Sequence, residues 1–479
     1  MSAARLSHLI TLVSLAIAIC SIYKLESARV PVEIERVLLD DTPSEFYSAS
    51  RKVDTLVVVS HGFGGSRQMM QAISLTLARA GYTIVAFDFI GHGRHAKQLS
   101  PAIETLTGTT EDLVKQTLDV VEKARTRTGL KRVAFVGHSM ATDVVVRAAQ
   151  RLQSVDSVVA ISMYSEAVTK THPERLLVVS GAFESRLRDV ALNTVAQVGP
   201  AREGETVVSG DISRRAISVP WVGHVGVLWS PNTLTEITAW LGSKATPAVT
   251  GNWILALLFS ILILFRSLAK LLPVADKQHR PSIGRALLAA SIAAIGAGAM
   301  ASSGLPLIGL AGFGALALAF GLWGVLVLLI LRVFPRFSGT DLFAGLLLIT
   351  WGIGAFALAL DRYGAAFLPT GPRVSLAFLL FPATVIFTLA DRFLVDGRSI
   401  FSRIALRIPF LAAFSVAMIF SPTDLGLVFI VIPVMVLYWM VYGTMAAWIA
   451  RRSGPAGAGL GEGVILAWAI AASTPLFQS

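Results

Sequence analysis

Apolar residues along this chain follow two different patterns, and the change comes near residue 249. Before it, apolar runs are short and end in turns rich in Gly, Ser and Asp. Residues 30–39 alternate between apolar and polar and predict a half-buried strand. Residues 55–60 (TLVVVS), 82–87, 133–137, 157–163 and 176–180 are largely apolar runs of strand length, which predict buried strands. Helices are expected over about 67–80, 110–127, 185–198 and 233–241, with another from 142, and one or two short strands over 205–219. Strands that alternate with helices predict a mostly parallel sheet covered on both faces.

Beyond 249 the runs lengthen. They occupy roughly 249–265, 286–302, 308–331, 342–360, 374–390, 408–420, 425–450 and 463–477, and predict about eight transmembrane helices. At the other end, residues 1–8 carry Arg5 and residues 9–23 are apolar, the layout of a signal anchor. Ala18-Ile19-Cys20 is a poor cleavage site, so this segment is expected to stay as a first membrane helix. The chain thus divides into an anchor (1–23), an α/β domain (24–248) and an all-α polytopic transmembrane domain (249–479).

Loop charge orients these spans. Loops 266–285, 332–341, 391–407 and 451–452 hold 13 Lys and Arg, whereas the alternate loops and the C-terminal tail hold two. Positive loops stay in the cytoplasm. With Arg5 also cytoplasmic, residues 24–248 are expected on the extracytoplasmic, periplasmic side of a bacterial inner membrane. Ala289, Ala293 and Ala297 are spaced for close helix packing, and Gly352 and Gly354 read as packing positions too. Asp341, Asp361, Asp391 and Glu462 fall at span ends, and Arg407 lies near an interface. The buried mid-membrane charge of a transporter is therefore not expected.

Composition agrees: 54% of the 479 residues are hydrophobic and 15% charged, with a net charge of +11. The excess sits in the apolar half, since residues 24–248 carry a net +2 and residues 249–479 a net +8. No basic stripe interleaved with aromatics appears, which excludes nucleic acid as a partner. The single cysteine, Cys20, lies in the anchor, so no disulfide staples the α/β domain.

The chemistry centres on Gly137-His138-Ser139-Met140-Ala141, a serine between small residues where a strand turns into a helix. Such an elbow lifts the hydroxyl above the sheet and points a helix N-terminus at developing negative charge. Ala141 stands where glycine is usual and adds one methyl. A serine hydroxyl needs a base, and the base needs an orienting acid. His224, in the loop Gly223-His224-Val225-Gly226, is the candidate base. Glu184, in Gly181-x-x-Glu, is the candidate acid, with Glu166 as rival. The order Ser139, Glu184, His224 is the one this elbow architecture uses. The N–H groups of Met140 and Phe63 are the candidate oxyanion hole, and Asp88 is expected to tie down the loop Gly91-His92-Gly93. His92-x-x-His95 has a metal-ligand spacing but no clear third ligand, so no metal and no cofactor are expected.

HGFGG at 61–65, DFIGHG at 88–93, GHSMA at 137–141, GAFE at 181–184 and GHVG at 223–226, in that order, resemble the α/β-hydrolase superfamily in its serine esterase and lipase branch. The resemblance covers about residues 30–245. It implies an α/β-hydrolase domain and acyl transfer to water through a covalent acyl-Ser139. About a dozen residues join the strands at 157–163 and 176–180, too few for a large lid. An open site beside a bilayer suits an ester or lipid substrate, and Trp221 and Trp229, on either side of His224 in the chain, are candidates to touch it. The alternative expectation is a transporter or flippase whose hydrolase-like domain regulates or scaffolds.

Overall fold

The computed structural model describes residues 3–102, 106–274, 280–302, 310–422 and 425–478. Loop 303–307 and parts of loops 266–285 and 421–424, whose charges are counted above, lie outside them. The chain forms two compact units: Cys20–Ala256 with Arg362–Ala366, and Met1–Ile19 with Leu257–Asp361 and Phe367–Ser479.

The first unit is built on a nine-stranded sheet. After helix α1 (Ala3–Arg29) come β1 (Glu33–Leu39), β2 (Thr42–Ser48), β3 (Leu56–Ser60), α2 (Gln71–Arg79), β4 (Thr83–Phe87), α3 (Glu111–Thr128) and β5 (Val133–His138). Then follow α4 (Ala141–Gln150), β6 (Val155–Ile161), β7 (Arg175–Gly181), α5 (Ser185–Ala196), β8 (Thr206–Ser209), β9 (Ile212–Val219) and α6 (Pro231–Trp240). Strand order is β1-β2-β4-β3-β5-β6-β7-β9-β8. The run from β4 to β9 is parallel, and β1, β2 and β8 pair antiparallel at the edges.

Alternation along the central strands explains why both faces are covered. Val57, Val59, Ala134, Val136, Val159, Ile161, Leu177 and Val179 join one core with residues of α2 and α6. Val58, Phe135 and Val158 alternate with them, so they point to the opposite face, and all three are fully buried. The helix α3 buries Leu113, Val114, Val120, Val121 and Ala124, opens with Glu111 and Asp112, and stops at Gly129, whose φ of 74° few other residues adopt.

Strand β2 has no counterpart in the sequence reading. Its TPSEFYS is too polar to announce a strand, yet it is almost wholly buried. The polar groups are buried by pairing: Glu45 accepts from Arg36 Nε at 3.0 Å and from Tyr47 OH at 2.6 Å, and Arg67 Nε lies 3.5 Å from it.

Among the described residues, nine helices are long and apolar enough to cross a membrane, α1 and eight from Gly251 onward. Within the second unit they pack through small residues. Ala289, Ala293 and Ala297 are buried. A Cβ on Gly463 would lie 2.4 Å from Val385 Cα, so the helices Pro455–Ser473 and Pro372–Val395 touch backbone to backbone. Thr388 and Thr384 donate to Gly459 O and Gly463 O across this seam, at 2.7 and 2.8 Å. Gly352 packs against Ile465 as expected, but a Cβ on Gly354 would meet nothing within 4 Å, so that glycine is not a packing position; both lie in a π-helical stretch, Thr350–Ala357.

One expectation needs correcting. Charge is buried among these helices. Arg392 Nε lies 2.8 Å from Glu462 Oε2, Arg407 Nη2 lies 2.6 Å from Asp391 Oδ2, and Arg392 Nη1 lies 3.1 Å from Asp396. Glu462 is seven residues into its helix, about 10 Å by the α-helical rise. Each charge looks costly along one span, but pairing across helices neutralises them, which a one-dimensional reading does not see.

Candidate active site

The parallel strands β5, β6 and β7 and the segment after β9 end side by side, and their carboxyl ends carry the candidate residues. Ser139 follows β5 directly, at φ 53°. That left-handed conformation is unusual for serine and marks a strained turn. The turn is held by Ser139 N–H to Ile161 O at 2.9 Å and by Thr142, which donates its N–H and hydroxyl to Ser139 O at 2.9 and 2.6 Å. Gly137 has to be bare, since a Cβ there would lie 2.8 Å from Ala141 O. Ala141, with its extra methyl, is fully buried. Met140 precedes α4, so its N–H lies at that helix's amino end.

His224 meets Ser139. Its Nε2 is 2.8 Å from Ser139 Oγ, and its Nδ1 is 2.6 Å from Glu184 Oε1. Nδ1 faces a carboxylate and so carries the proton, which leaves Nε2 free to accept from the serine. Glu184 Oε2 accepts from Gly181 N–H and from Ser162 Oγ, both at 2.7 Å. Burial raises the carboxyl's pKa, but the bonds from His224, Gly181 and Ser162 outweigh it and hold the group below its ordinary value. Glu184 is therefore a carboxylate at neutral pH. Glu166 is exposed beyond β6.

The loops that carry Glu184 and His224 are laced together. A Cβ on Gly181 would lie 2.5 Å from Val222 O, and Phe183 N–H donates to that carbonyl at 3.2 Å. The turn after β3 closes on the serine from the other side. A Cβ on Gly62 would lie 3.0 Å from Ser139 Cβ, so Phe63 begins its course next to Ser139. This turn is tied down in turn. Phe89 N–H donates to His61 Nε2 at 3.1 Å, so His61 carries its proton on Nδ1, which lies 2.8 Å from Gly62 O. Asp88 accepts from Arg67 N–H at 2.8 Å and Arg94 N–H at 2.9 Å and forms an ion pair with Arg67, fixing the Gly91-His92-Gly93 loop. His92 Nδ1 and His95 Nδ1 are used within that loop, at 2.9 Å from Ile90 O and 3.0 Å from Lys97 N. No group of three or more potential metal ligands occurs among the described residues.

The rim is apolar. Trp221 is 85% exposed at φ 63°, Phe183 70% and Tyr164 66% exposed, and Val225 adjoins His224. Trp229 instead packs against the sheet's core and against Gly251. Residues 162–174 join β6 to β7. Two contributors escaped the sequence reading. Ser162 donates to Glu184 from the end of β6, and its signal is a small polar residue at the carboxyl end of a buried strand. His138 donates Nε2–H to His224 O at 2.8 Å, and its signal is a histidine placed directly before Ser139.

Residues 55–202 match the alpha/beta hydrolase fold family. No curated protein matches the chain. Similar solved structures include a dienelactone hydrolase of Anabaena variabilis, at 16% identity and TM-score 0.34 over 43% of this chain and 94% of that one. They also include a carboxylesterase of Bacillus subtilis, at 13% identity and TM-score 0.35 over 49% and 98%. The sheet order, the elbow after β5 and the family match agree, and the chain carries a domain of the α/β-hydrolase fold joined to a set of apolar helices able to span a membrane.

Proposed function

We propose that this chain is a membrane-anchored serine hydrolase that cleaves ester or thioester bonds, those of lipids included, through an acyl-Ser139 intermediate. The observation that carries the reading is the continuous relay Glu184–His224–Ser139, with contacts of 2.6 and 2.8 Å. Ser139 Oγ attacks the substrate carbonyl while His224 Nε2 takes its proton, and Glu184 stabilises the imidazolium. The oxyanion is met by the N–H of Met140 and that of Phe63. His224 then protonates the leaving alcohol or thiol as its bond to the acyl carbon breaks. A water enters, gives its proton to His224, attacks the acyl carbon and releases the acid, and the proton returns to Ser139.

The exposed apolar side chains of Trp221, Phe183 and Val225, chain neighbours of Glu184 and His224, favour an acyl chain over a polar substrate. Loop charge favours an extracytoplasmic site. The test is ester turnover by the full-length chain in detergent, with Ser139→Ala as comparison. A fall in kcat of about 10^4 or more is expected. A mutant that keeps full turnover would remove Ser139 from the chemistry.

A second reading makes the membrane helices the active part, as a carrier or flippase. The buried Arg392–Glu462 and Arg407–Asp391 pairs favour it. Lipid transport that persists in Ser139→Ala would support that reading over the first.

A further inference from the structure

His138 touches three parts of the site at once. It precedes Ser139 in the chain, and its Nε2–H donates to the carbonyl of His224 at 2.8 Å. The two rings lie 4.9 Å apart. On its other side it backs the turn after β3, because a Cβ on Gly62 would lie 2.9 Å from its Nδ1. The ring is 4% exposed, and burial holds its pKa down at about 4, so it is neutral and keeps this tautomer at neutral pH.

His224 is placed very differently. Its side chain is 44% exposed, and it sits between Gly223 and Val225 in a loop whose residues 221–226 are exposed or half-buried. A base so exposed has few packed neighbours to fix it, and small displacements of a reacting group cost large factors in rate. A bond to the base's own carbonyl fixes the main chain from which the imidazole projects.

We propose that His138 is a positioning residue, whose Nε2–H bond to the His224 carbonyl holds the base against Ser139 and couples it to the turn carrying Phe63. This rests on the reading of Ser139 as the nucleophile. A buried histidine that only filled space would be replaceable by any ring of its volume. Positioning through Nε2 instead requires a donor at that point. Glutamine places an amide N–H near the position of Nε2, phenylalanine keeps the ring without a donor, and asparagine is too short to reach.

The test uses the full-length chain in detergent micelles, with two probes: the rate of phosphonylation by a fluorophosphonate, and kcat and KM for p-nitrophenyl butyrate. His138→Phe is expected to lower kcat and the phosphonylation rate by about 10- to 100-fold, with KM changed by no more than about twofold. His138→Gln is expected to stay within about threefold of wild type on both, which a space-filling role would not produce. His138→Asn should lose activity as His138→Phe does, and serves where the phenylalanine variant does not fold. Wild-type rates in His138→Phe, or equal losses in the Gln and Phe variants, would overturn the positioning role while leaving the serine hydrolase standing. Absence of phosphonylation in the wild type would overturn both.

Discussion

Replacing Glu184 by glutamine removes one charge and almost no volume, and the surroundings decide which way the amide turns. Oε2 accepts two hydrogen bonds, from Gly181 N–H and Ser162 Oγ at 2.7 Å, whereas Oε1 faces the single Nδ1 of His224 at 2.6 Å. An amide NH2 set against the Gly181 N–H would forfeit an acceptor bond worth about 1 kcal/mol. The carbonyl therefore keeps the Oε2 position, and the NH2 is turned on His224. The imidazole must then accept at Nδ1 and carry its proton on Nε2, 2.8 Å from the serine hydroxyl it should deprotonate. With the wrong tautomer and no carboxylate to stabilise the imidazolium, kcat should fall by about 10^4, about 5 kcal/mol at 1.36 kcal/mol per tenfold. Steady-state ester hydrolysis by the full-length chain measures it, and the phosphonylation rate gives an independent reading. Glu166→Gln, at an exposed position, should change kcat by less than about twofold, in line with surface substitutions generally. A Glu184→Gln enzyme within tenfold of wild type, or a Glu166→Gln enzyme as impaired as it, would refute the assignment of the acid.

Acid stability should depend on His138. Its folded pKa of about 4 lies below the roughly 6.5 of an unfolded histidine, so between those values the unfolded chain takes up a proton that the folded chain refuses. Stability is full above pH 6.5 and falls as the pH drops towards 4, by about 3 kcal/mol, and melting of the hydrolase unit against pH should show a shallower acid limb in His138→Gln. An unchanged limb would contradict this. Trp221→Ser should raise KM for long-chain esters by about tenfold, the loss of a large apolar contact, and leave butyrate esters nearly unaffected; equal effects on both would remove Trp221 from the acyl path.

The parts of the site that were legible are those fixed by local geometry. A serine in a strained turn needs bare neighbours, and Gly137 shows why, since Ala141 O leaves no room for a side chain. His224 was found from its glycine-rich loop and its place after the last strands. Glu184 is the candidate acid on its Gly181-x-x-Glu turn, with Glu166 as rival because it too follows a strand. The sheet brings Glu184 to His224: β7 pairs with β9, so the Gly181 turn runs beside the segment leading to His224. What stayed hidden depends on polar groups paired at long range. His138 meets a carbonyl 86 residues away, Glu45 draws β2 into the sheet through Arg36 and Arg67, and Arg392 neutralises Glu462 across two helices. Hydrophobic patterning scores each of these groups alone, as solvated, and so misplaces all of them.

The most direct measurement is the site of covalent modification. The full-length protein, treated with a fluorophosphonate, is digested and its peptides are read by mass spectrometry. The account predicts one adduct, on Ser139, absent from Ser139→Ala and slowed by about four orders of magnitude in Glu184→Gln. An adduct on another serine, or none on a folded protein, would contradict it.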